Sequence, residues 1–106
     1  MITITYMTRE KKQKPAFEMR IKGHAQSDVK GKDLVCCAVS TLIETLYAFF
    51  CLAQEDFSIE LNTEGQISAM KGRGIYAMHS FDQTLTGLKL IAKQYPDNVE
   101  VIHIRK

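Results

Sequence analysis

The 106-residue sequence lacks tryptophan, has two prolines and three cysteines, and carries a formal net charge of only +2. An odd number of cysteines without a visible secretory leader argues against a disulfide framework, so we expect a reducing, cytoplasmic location. So small a charge gives little support to nucleic-acid binding. The three histidines are widely separated, so a zinc site that uses one of them with the vicinal Cys36 and Cys37 would require long-range convergence, and we expect no metal and no cofactor.

Long apolar runs are also scarce, with one exception at residues 34–53, where Glu44 is the only charge. The length approaches that of a membrane span. Ser40, Thr41, Glu44 and Thr45 fall in one arc of a helical wheel, and large apolar residues cover most of the remainder. This pattern favours a central, largely buried helix and no membrane association. A homodimer is one way to cover such a helix.

The remaining elements follow from hydrophobic periodicity. Period-two alternation predicts strands on both sides of the long helix and at the end of the chain. The predicted strands cover residues 2–6, 17–21, 57–61, 66–71 and 99–104. A capping-box pattern predicts a second helix from Ser80 that ends before Pro96. We therefore expect one α+β domain, residues 1–106, a two-layer sandwich in ββαββαβ order with a mainly antiparallel sheet and two helices on one face.

A thiol and an imidazole are the candidate chemical groups. His24 follows Gly23 at the end of the second predicted strand, and Cys36 comes twelve residues later, near the start of the long helix. The polar segment between them has only to fold back for the two side chains to meet. If Asp33 is the N-cap, Cys36 is the third helical residue, where unpaired N–H groups and the helix dipole favour a thiolate. This pattern is typical of a Cys/His hydrolase.

Four residues are predicted to support this site. Ser40 lies one helical turn beyond the cysteine, close enough to support the site without being a nucleophile. Gly23 and Gly31 bracket the polar loop and allow it to rearrange around an extended substrate. Besides capping the helix, Asp33 could orient the histidine.

Other interpretations of the cysteines stay open. Cys36 alone is more typical of an inert core cysteine, and only together with His24, the loop and the Asp33 cap does the catalytic interpretation become equally favoured. Cys37 faces the polar arc more squarely than Cys36 does, so periodicity does not decide which is the nucleophile. Cys51 lies among apolar residues and is predicted to be core, and His79 and His103 have no evident partners.

The segment from Gly23 to Ser40 resembles the ribosomal-processing cysteine protease family, Prp. That family has Gly-His-Ala at a strand end and Asp-Ile/Leu-Val-Cys at a helix start, with the same His-to-Cys interval. The matching residues are Gly23-His24-Ala25 and Asp33-Leu34-Val35-Cys36, followed by Ser40. Chain length, the opening strand and the ββαββαβ order agree as well, so the resemblance covers essentially the whole chain.

The resemblance implies that Cys36 is the nucleophile, His24 its partner, and Asp33 and Ser40 supporting residues. It also implies a homodimer with a substrate loop at residues 26–32, which Gly23 precedes and which contains Gly31 near its end. The substrate would be the precursor of the twenty-seventh large-subunit ribosomal protein, whose N-terminal extension is removed by a cut after an aromatic residue. We therefore expect a cytoplasmic, metal-independent cysteine endopeptidase that acts during ribosome assembly.

Two alternatives remain at this point. The chain could be a non-catalytic, ribosome-associated binding module whose basic segment, residues 9–14, contacts RNA. It could also be a cysteine hydrolase that acts on a different peptide.

Overall fold

The structure, a computed structural model, describes residues 1–10, 14–23 and 30–105, with the backbone alone for residues 30–33. Seven elements follow one another in the predicted ββαββαβ order. They are β1 (Ile2–Arg9), β2 (Ala16–Lys22), α1 (Lys30–Ala53), β3 (Asp56–Leu61), β4 (Ile67–Arg73), α2 (Ile75–Gln94) and β5 (Val99–His103).

The five strands form one mixed sheet in the order β3-β4-β2-β1-β5. Both hairpins, β1–β2 and β3–β4, are antiparallel, and so is the β2–β4 pairing between them. β5 joins the other side of β1 in parallel, which the crossover through α2 makes possible. The predicted mainly antiparallel sheet is confirmed.

The two faces of the sheet differ in the way period-two alternation requires. Ile4, Tyr6 and Met19 point to one face and are buried with residues of both helices in a single core. On the other face, Arg20 and Lys71 both approach the Glu18 carboxylate, at 3.3 and 3.9 Å. One face is therefore covered by the helices and the other is polar, which confirms the two-layer α+β fold.

Aromatic packing joins the sheet to the helices. The Phe17 ring of β2 stacks on Phe81 of α2 with centroids 4.1 Å apart, and Tyr6 meets Phe81 edge-on. A Cβ at Gly72, the β4 partner of Phe17, would overlap the Phe17 ring. Glycine at this position is what lets the ring lie against the β4 backbone.

α1 corrects the prediction of a largely buried helix. The segment Leu34–Ala53 is long and apolar enough to cross a membrane, yet only 28% of it is buried in the fold. The buried positions form one stripe: Val35, Val39, Ile43, Leu46 and Phe50. Leu34 and Leu52 are 72% and 85% exposed. A helix on the surface of a two-layer domain has a neighbour below it and on one flank, so half of its circumference stays uncovered.

α2 ends as predicted but begins earlier. Its last residue, Gln94, precedes Pro96, whereas its N-cap is Gly74 and the predicted cap, Ser80, lies inside the helix. The Met78 N–H donates to the Gly74 carbonyl at 3.0 Å, which closes the first turn. Ala77 is fully buried in that turn. Burial of Ala77 within this extra turn outweighs the local capping signal, which therefore misplaced the helix start.

Candidate active site

A narrow cleft lies where β2 ends, between α1 and the β3–β4 hairpin. Its volume is about 120 Å³. The lining residues come from β1, β2, α1 and the β3–β4 hairpin: Ile2, Ile21, Gly23, Cys36, Val39, Ser40, Ile43, Glu44, Gln66 and Ile67. We call this the Cys36 cleft. It brings together three of the residues predicted from the sequence, Gly23, Cys36 and Ser40.

α1 supplies the polar wall of the cleft. Cys36, Ser40 and Glu44 lie four residues apart and therefore form one stripe along the helix. The cysteine is half-buried, whereas the serine and the glutamate are exposed. Because the buried stripe of α1 lies next to this one, a thiol at position 36 is held by the core on one side and open to the cleft on the other.

The start of α1 corrects two expectations about the site. The helix begins at Lys30, so Asp33 is its fourth residue rather than its N-cap, and Cys36 is its seventh. In a regular helix the Cys36 N–H is then already paired within the helix, and the dipole effect has weakened beyond the first turn. Gly31, predicted to end a loop, is helical as well. One glycine costs only about 1 kcal/mol within a helix, so it does not stop a helix of 24 residues.

Gly23 shapes the other side of the cleft. Its φ is +88°, in the region that favours glycine, and an added Cβ would overlap the carbonyl oxygen of Met1. A glycine is therefore needed for the chain to leave β2 beside the N-terminal strand. His24 is the next residue and lies outside the described residues, together with the part of the predicted substrate loop up to residue 29.

The β3–β4 hairpin forms the third wall and is organised by Asn62. The Asn62 Oδ1 accepts hydrogen bonds from the Glu64 and Gln66 N–H groups, at 2.9 and 3.0 Å. The Asn62 N–H donates to the Gln66 carbonyl at 2.8 Å, and Gly65 adopts a φ of +78° between them. Asn and Gly are typical of tight turns, and this turn fixes the backbone of Gln66 at the cleft.

Gln66 and Glu44 were not predicted as site residues. Gln66 is far from Cys36 in the sequence, and no local pattern connects the two. Glu44 carried a usable signal, because it is the only charge in an apolar stretch and lies on the same helical stripe as Cys36.

Cys37, the alternative nucleophile, faces a different surface. It lines a shallow groove between α1 and α2, with a volume of about 580 Å³. We call this the outer groove; its lining is Leu34, Cys37, Ala38, Thr41, Leu42, Gly87, Leu90, Ile91 and Gln94. Leu42 packs against Gly87, where an added Cβ would lie 3.0 Å from the Leu42 Cδ1. The outer groove that Cys37 lines therefore contains neither Gly23 nor Ser40.

The third cysteine also differs from its prediction. Cys51 is exposed rather than part of the core, because it lies on the uncovered side of α1. A side-chain hydrogen bond with Cys51, one turn away, raises the pKa of Tyr47, and the charge of the ionised thiol acts in the same direction. This pair lies toward the far end of α1, away from the Cys36 cleft.

The two described histidines lie elsewhere. His103 stacks on the Tyr6 ring with centroids 4.6 Å apart, so it has an aromatic partner that the sequence did not reveal. His79 is exposed on α2. In the part of the chain that the structure describes, no three His, Cys, Asp or Glu residues are placed to hold a metal ion.

The described lining of the cleft combines polar and apolar side chains. It presents a thiol, a hydroxyl, a carboxylate and an amide along a narrow trough with isoleucine walls. Apolar walls with a few placed polar groups are typical of ligand sites. A thiol in such a place is suited to attack a carbonyl group, provided that a base stands beside it.

Comparison with known proteins gives one family match. Residues 1–100 match the family described as cysteine protease Prp. No curated protein matches the chain.

Solved structures share the fold over almost the whole chain. SMU.848 from Streptococcus mutans has 28% identity and a TM-score of 0.73, over 100% of this chain and 96% of that one. The ribosomal processing protease Prp from S. aureus with a covalently linked product peptide has 21% identity and a TM-score of 0.75. The same protease with a substrate peptide has 20% identity and a TM-score of 0.74. Both alignments cover 98% of this chain and 100% of the protease chain.

Proposed function

This chain belongs to the cysteine protease Prp family, and on that basis we propose that it is a ribosomal processing protease. It would be an endopeptidase that removes the N-terminal extension of a large-subunit ribosomal protein precursor during ribosome assembly. One observation carries the proposal for this chain's own residues: Cys36 lines the same cleft as Gly23, the residue before His24.

The proposed reaction proceeds through a thioester. The Cys36 thiolate attacks the scissile carbonyl carbon, a C–S bond forms, and the carbonyl electron pair moves onto oxygen. When the tetrahedral intermediate collapses, the C–N bond breaks and the His24 imidazolium gives its proton to the leaving amine. His24 then takes a proton from water, the resulting hydroxide attacks the thioester, and the thiolate leaves with a free carboxyl group on the released peptide.

The supporting residues have narrower roles. Ser40 lines the cleft one turn beyond Cys36, and its hydroxyl can donate or accept a hydrogen bond beside the reacting thiol. Because α1 starts at Lys30, capping is no longer available as a role for Asp33. We assign to it the other role that the sequence suggests, orientation of His24. This assignment predicts that Asp33→Asn lowers kcat more than it changes KM.

We also propose that the protease is a cytoplasmic homodimer that uses the outer groove as its interface. The groove supports this proposal because it is lined by large exposed side chains, Leu34 and Leu90, and by no charged residue among those the structure describes. Leu90→Lys would place a charge in the interface. Sedimentation velocity should then show a shift from dimer to monomer, and Lys89→Leu, the adjacent exposed position outside the groove, is the control.

Mass spectrometry of the precursor ribosomal protein tests the proposed reaction. Wild type is expected to release one N-terminal fragment by a cut after an aromatic residue, and Cys36→Ala and His24→Ala are expected to release none. Cys37→Ala should cut as wild type does. If wild type leaves a folded precursor with an extension intact, the binding-module interpretation replaces the protease.

Thiol labelling supplies a second, substrate-free test. Cys36 in the proposed enzyme should react with iodoacetamide near neutral pH faster than free cysteine does, and His24→Ala should remove this advantage. Equal and slow reaction in both proteins would favour the binding module.

A further inference from the structure

The Cys36 cleft contains two polar side chains that the cleavage chemistry does not use, Glu44 and Gln66. Glu44 is the third member of the stripe that begins with Cys36. Its carboxylate forms no ion pair or side-chain hydrogen bond with the residues that the structure describes. By contrast, Glu18 and Glu60, on the outer face of the sheet, both have Arg20 as a partner. Among the described residues, none therefore competes with a ligand for the acid in the cleft.

The distance from the thiol to this carboxylate can be expressed in substrate residues. Eight residues of α-helix separate the Cα atoms of Cys36 and Glu44 by about 12 Å along the axis. An extended peptide advances about 3.3 Å per residue. A substrate that follows α1 from the thiol therefore reaches the Glu44 carboxylate with the third or fourth residue from its cleaved bond.

The surroundings of Glu44 suit a long basic side chain. Ile67, which is half-buried, offers apolar surface to the methylene stem of a lysine or arginine. The Gln66 amide has both a donor and an acceptor, and the Asn62 turn fixes its backbone at the mouth of the cleft. A cationic head group beside a carboxylate and an amide oxygen forms charge-assisted hydrogen bonds, which are stronger than neutral ones.

We propose that Glu44 and Gln66 form a specificity subsite for a lysine or arginine side chain located three or four residues from the cleaved bond. The proposal rests on the proposed function, because it identifies part of the substrate of the same site. Glu44 is assigned to selectivity and Cys36 to chemistry, so substrate preference should be separable from the rate of bond cleavage.

A set of peptides that differ only in the position of a single lysine tests this subsite. The probes are twelve-residue peptides with one aromatic residue at the cleaved bond, neutral flanks and a single lysine moved through each position. In the matched peptides norleucine, which is neutral and of similar length, replaces the lysine. Wild type should cut the peptide with lysine at the third or fourth position about 10-fold more efficiently than its norleucine match, as expected for one favourable charge pair.

Variants of Glu44 should change that ratio and little else. Glu44→Gln should reduce the preference to below about 2-fold, through KM rather than kcat, because the interaction contributes equally to ground-state and transition-state binding. Glu44→Lys should prefer a glutamate in place of the lysine. Glu55→Gln makes the same chemical change at the opposite end of the sheet, just before β3, and should keep the wild-type ratio.

A binding measurement separates failure of this subsite from failure of the proposed function. Anisotropy of fluorescein-labelled peptides is measured with Cys36→Ala, with and without Glu44→Gln, at two salt concentrations. If wild type cuts peptides but Glu44→Gln keeps the lysine preference, the subsite is wrong and the protease stands. If wild type cuts none, the protease is wrong, and the subsite stands only if Cys36→Ala binds the lysine peptide more tightly and Glu44→Gln abolishes the difference.

Discussion

The Cys36 cleft and the outer groove lie on two sides of the same helix and contain adjacent cysteines. The cleft is small, about 120 Å³, and four parts of the chain converge on it. The groove is wider, about 580 Å³, and only α1 and α2 line it. Successive helical residues are rotated by roughly 100°. Neighbours in the sequence therefore face different surroundings, and convergence of several elements, rather than volume, distinguishes the cleft as the candidate site.

The two surfaces also differ in polarity. Glu44, Ser40 and Gln66 give the cleft a carboxylate, a hydroxyl and an amide, whereas the described lining of the groove has no charged side chain. Polar groups in the cleft fit a substrate that is bound and released. An apolar groove fits a lasting contact with another protein surface.

The largest expected effect separates the two cysteines. Cys36→Ala should reduce kcat/KM for the precursor at least ~10³-fold, because removal of the nucleophile of a dyad removes the covalent path. Cys37→Ala should stay within about 2-fold of wild type, as is usual for exposed residues without a chemical role. Both values come from cleavage followed by mass spectrometry. If Cys37→Ala abolished cleavage and Cys36→Ala did not, the active site would lie in the outer groove.

The second comparison concerns packing on the two sides of α1. Leu46 is 2% exposed and part of the core, whereas Leu34 is 72% exposed in the groove. Leu46→Ala should lower the free energy of unfolding by about 2–5 kcal/mol, since it leaves a cavity. Leu34→Ala should change the free energy of unfolding of the monomer by less than ~0.5 kcal/mol. Urea unfolding in dilute solution measures both, and equal losses would contradict the one-sided burial of α1.

Gly23 gives the third test, on the strand side of the cleft. Gly23→Ala combines a positive φ with overlap of the Met1 carbonyl, and should destabilise the fold by about 1–3 kcal/mol. Gly65→Ala has a positive φ but no atom within 4 Å of the added Cβ, so it should cost only about 1–2 kcal/mol. Urea unfolding compares the two. If Gly23→Ala lost less free energy of unfolding than Gly65→Ala, the strand end would have adapted to the added methyl group.

The smallest expected effect involves the third cysteine of α1. The Cys51 side chain raises the pKa of Tyr47, so Cys51→Ala should lower that pKa and Cys37→Ala should leave it unchanged. A raised pKa in the folded state stabilises the fold below the unfolded value of about 10, and this contribution disappears as the pH rises through the folded value. Ultraviolet titration of the phenolate in Tyr47→Phe and wild type isolates the Tyr47 signal. No difference between the Cys51→Ala and Cys37→Ala titrations would contradict the Tyr47–Cys51 interaction.

Much of the fold could be predicted because its signals are local. Ile2, Ile4 and Tyr6 alternate with threonines, and that alternation selects the buried face of β1 whatever the neighbouring strands are. Pro96 limits α2 because it lacks an N–H group. The helix starts could not be predicted, since Ser80 looks like a cap in the sequence and only the burial of Ala77 shows that the helix has already begun.

In the candidate site, too, some features follow from local sequence and others only from tertiary packing. By itself the sequence determined the order of the elements and the strand faces, because these depend on neighbours along the chain, and its motif is the basis for the prediction that His24 is the partner of Cys36. The tertiary structure alone decided that Cys36 rather than Cys37 faces the cleft and that the distant Gln66 joins Glu44 there. The physical reason is that the cleft exists only after β2, α1 and the β3–β4 hairpin have packed together, and no local interaction records which side chains will then meet.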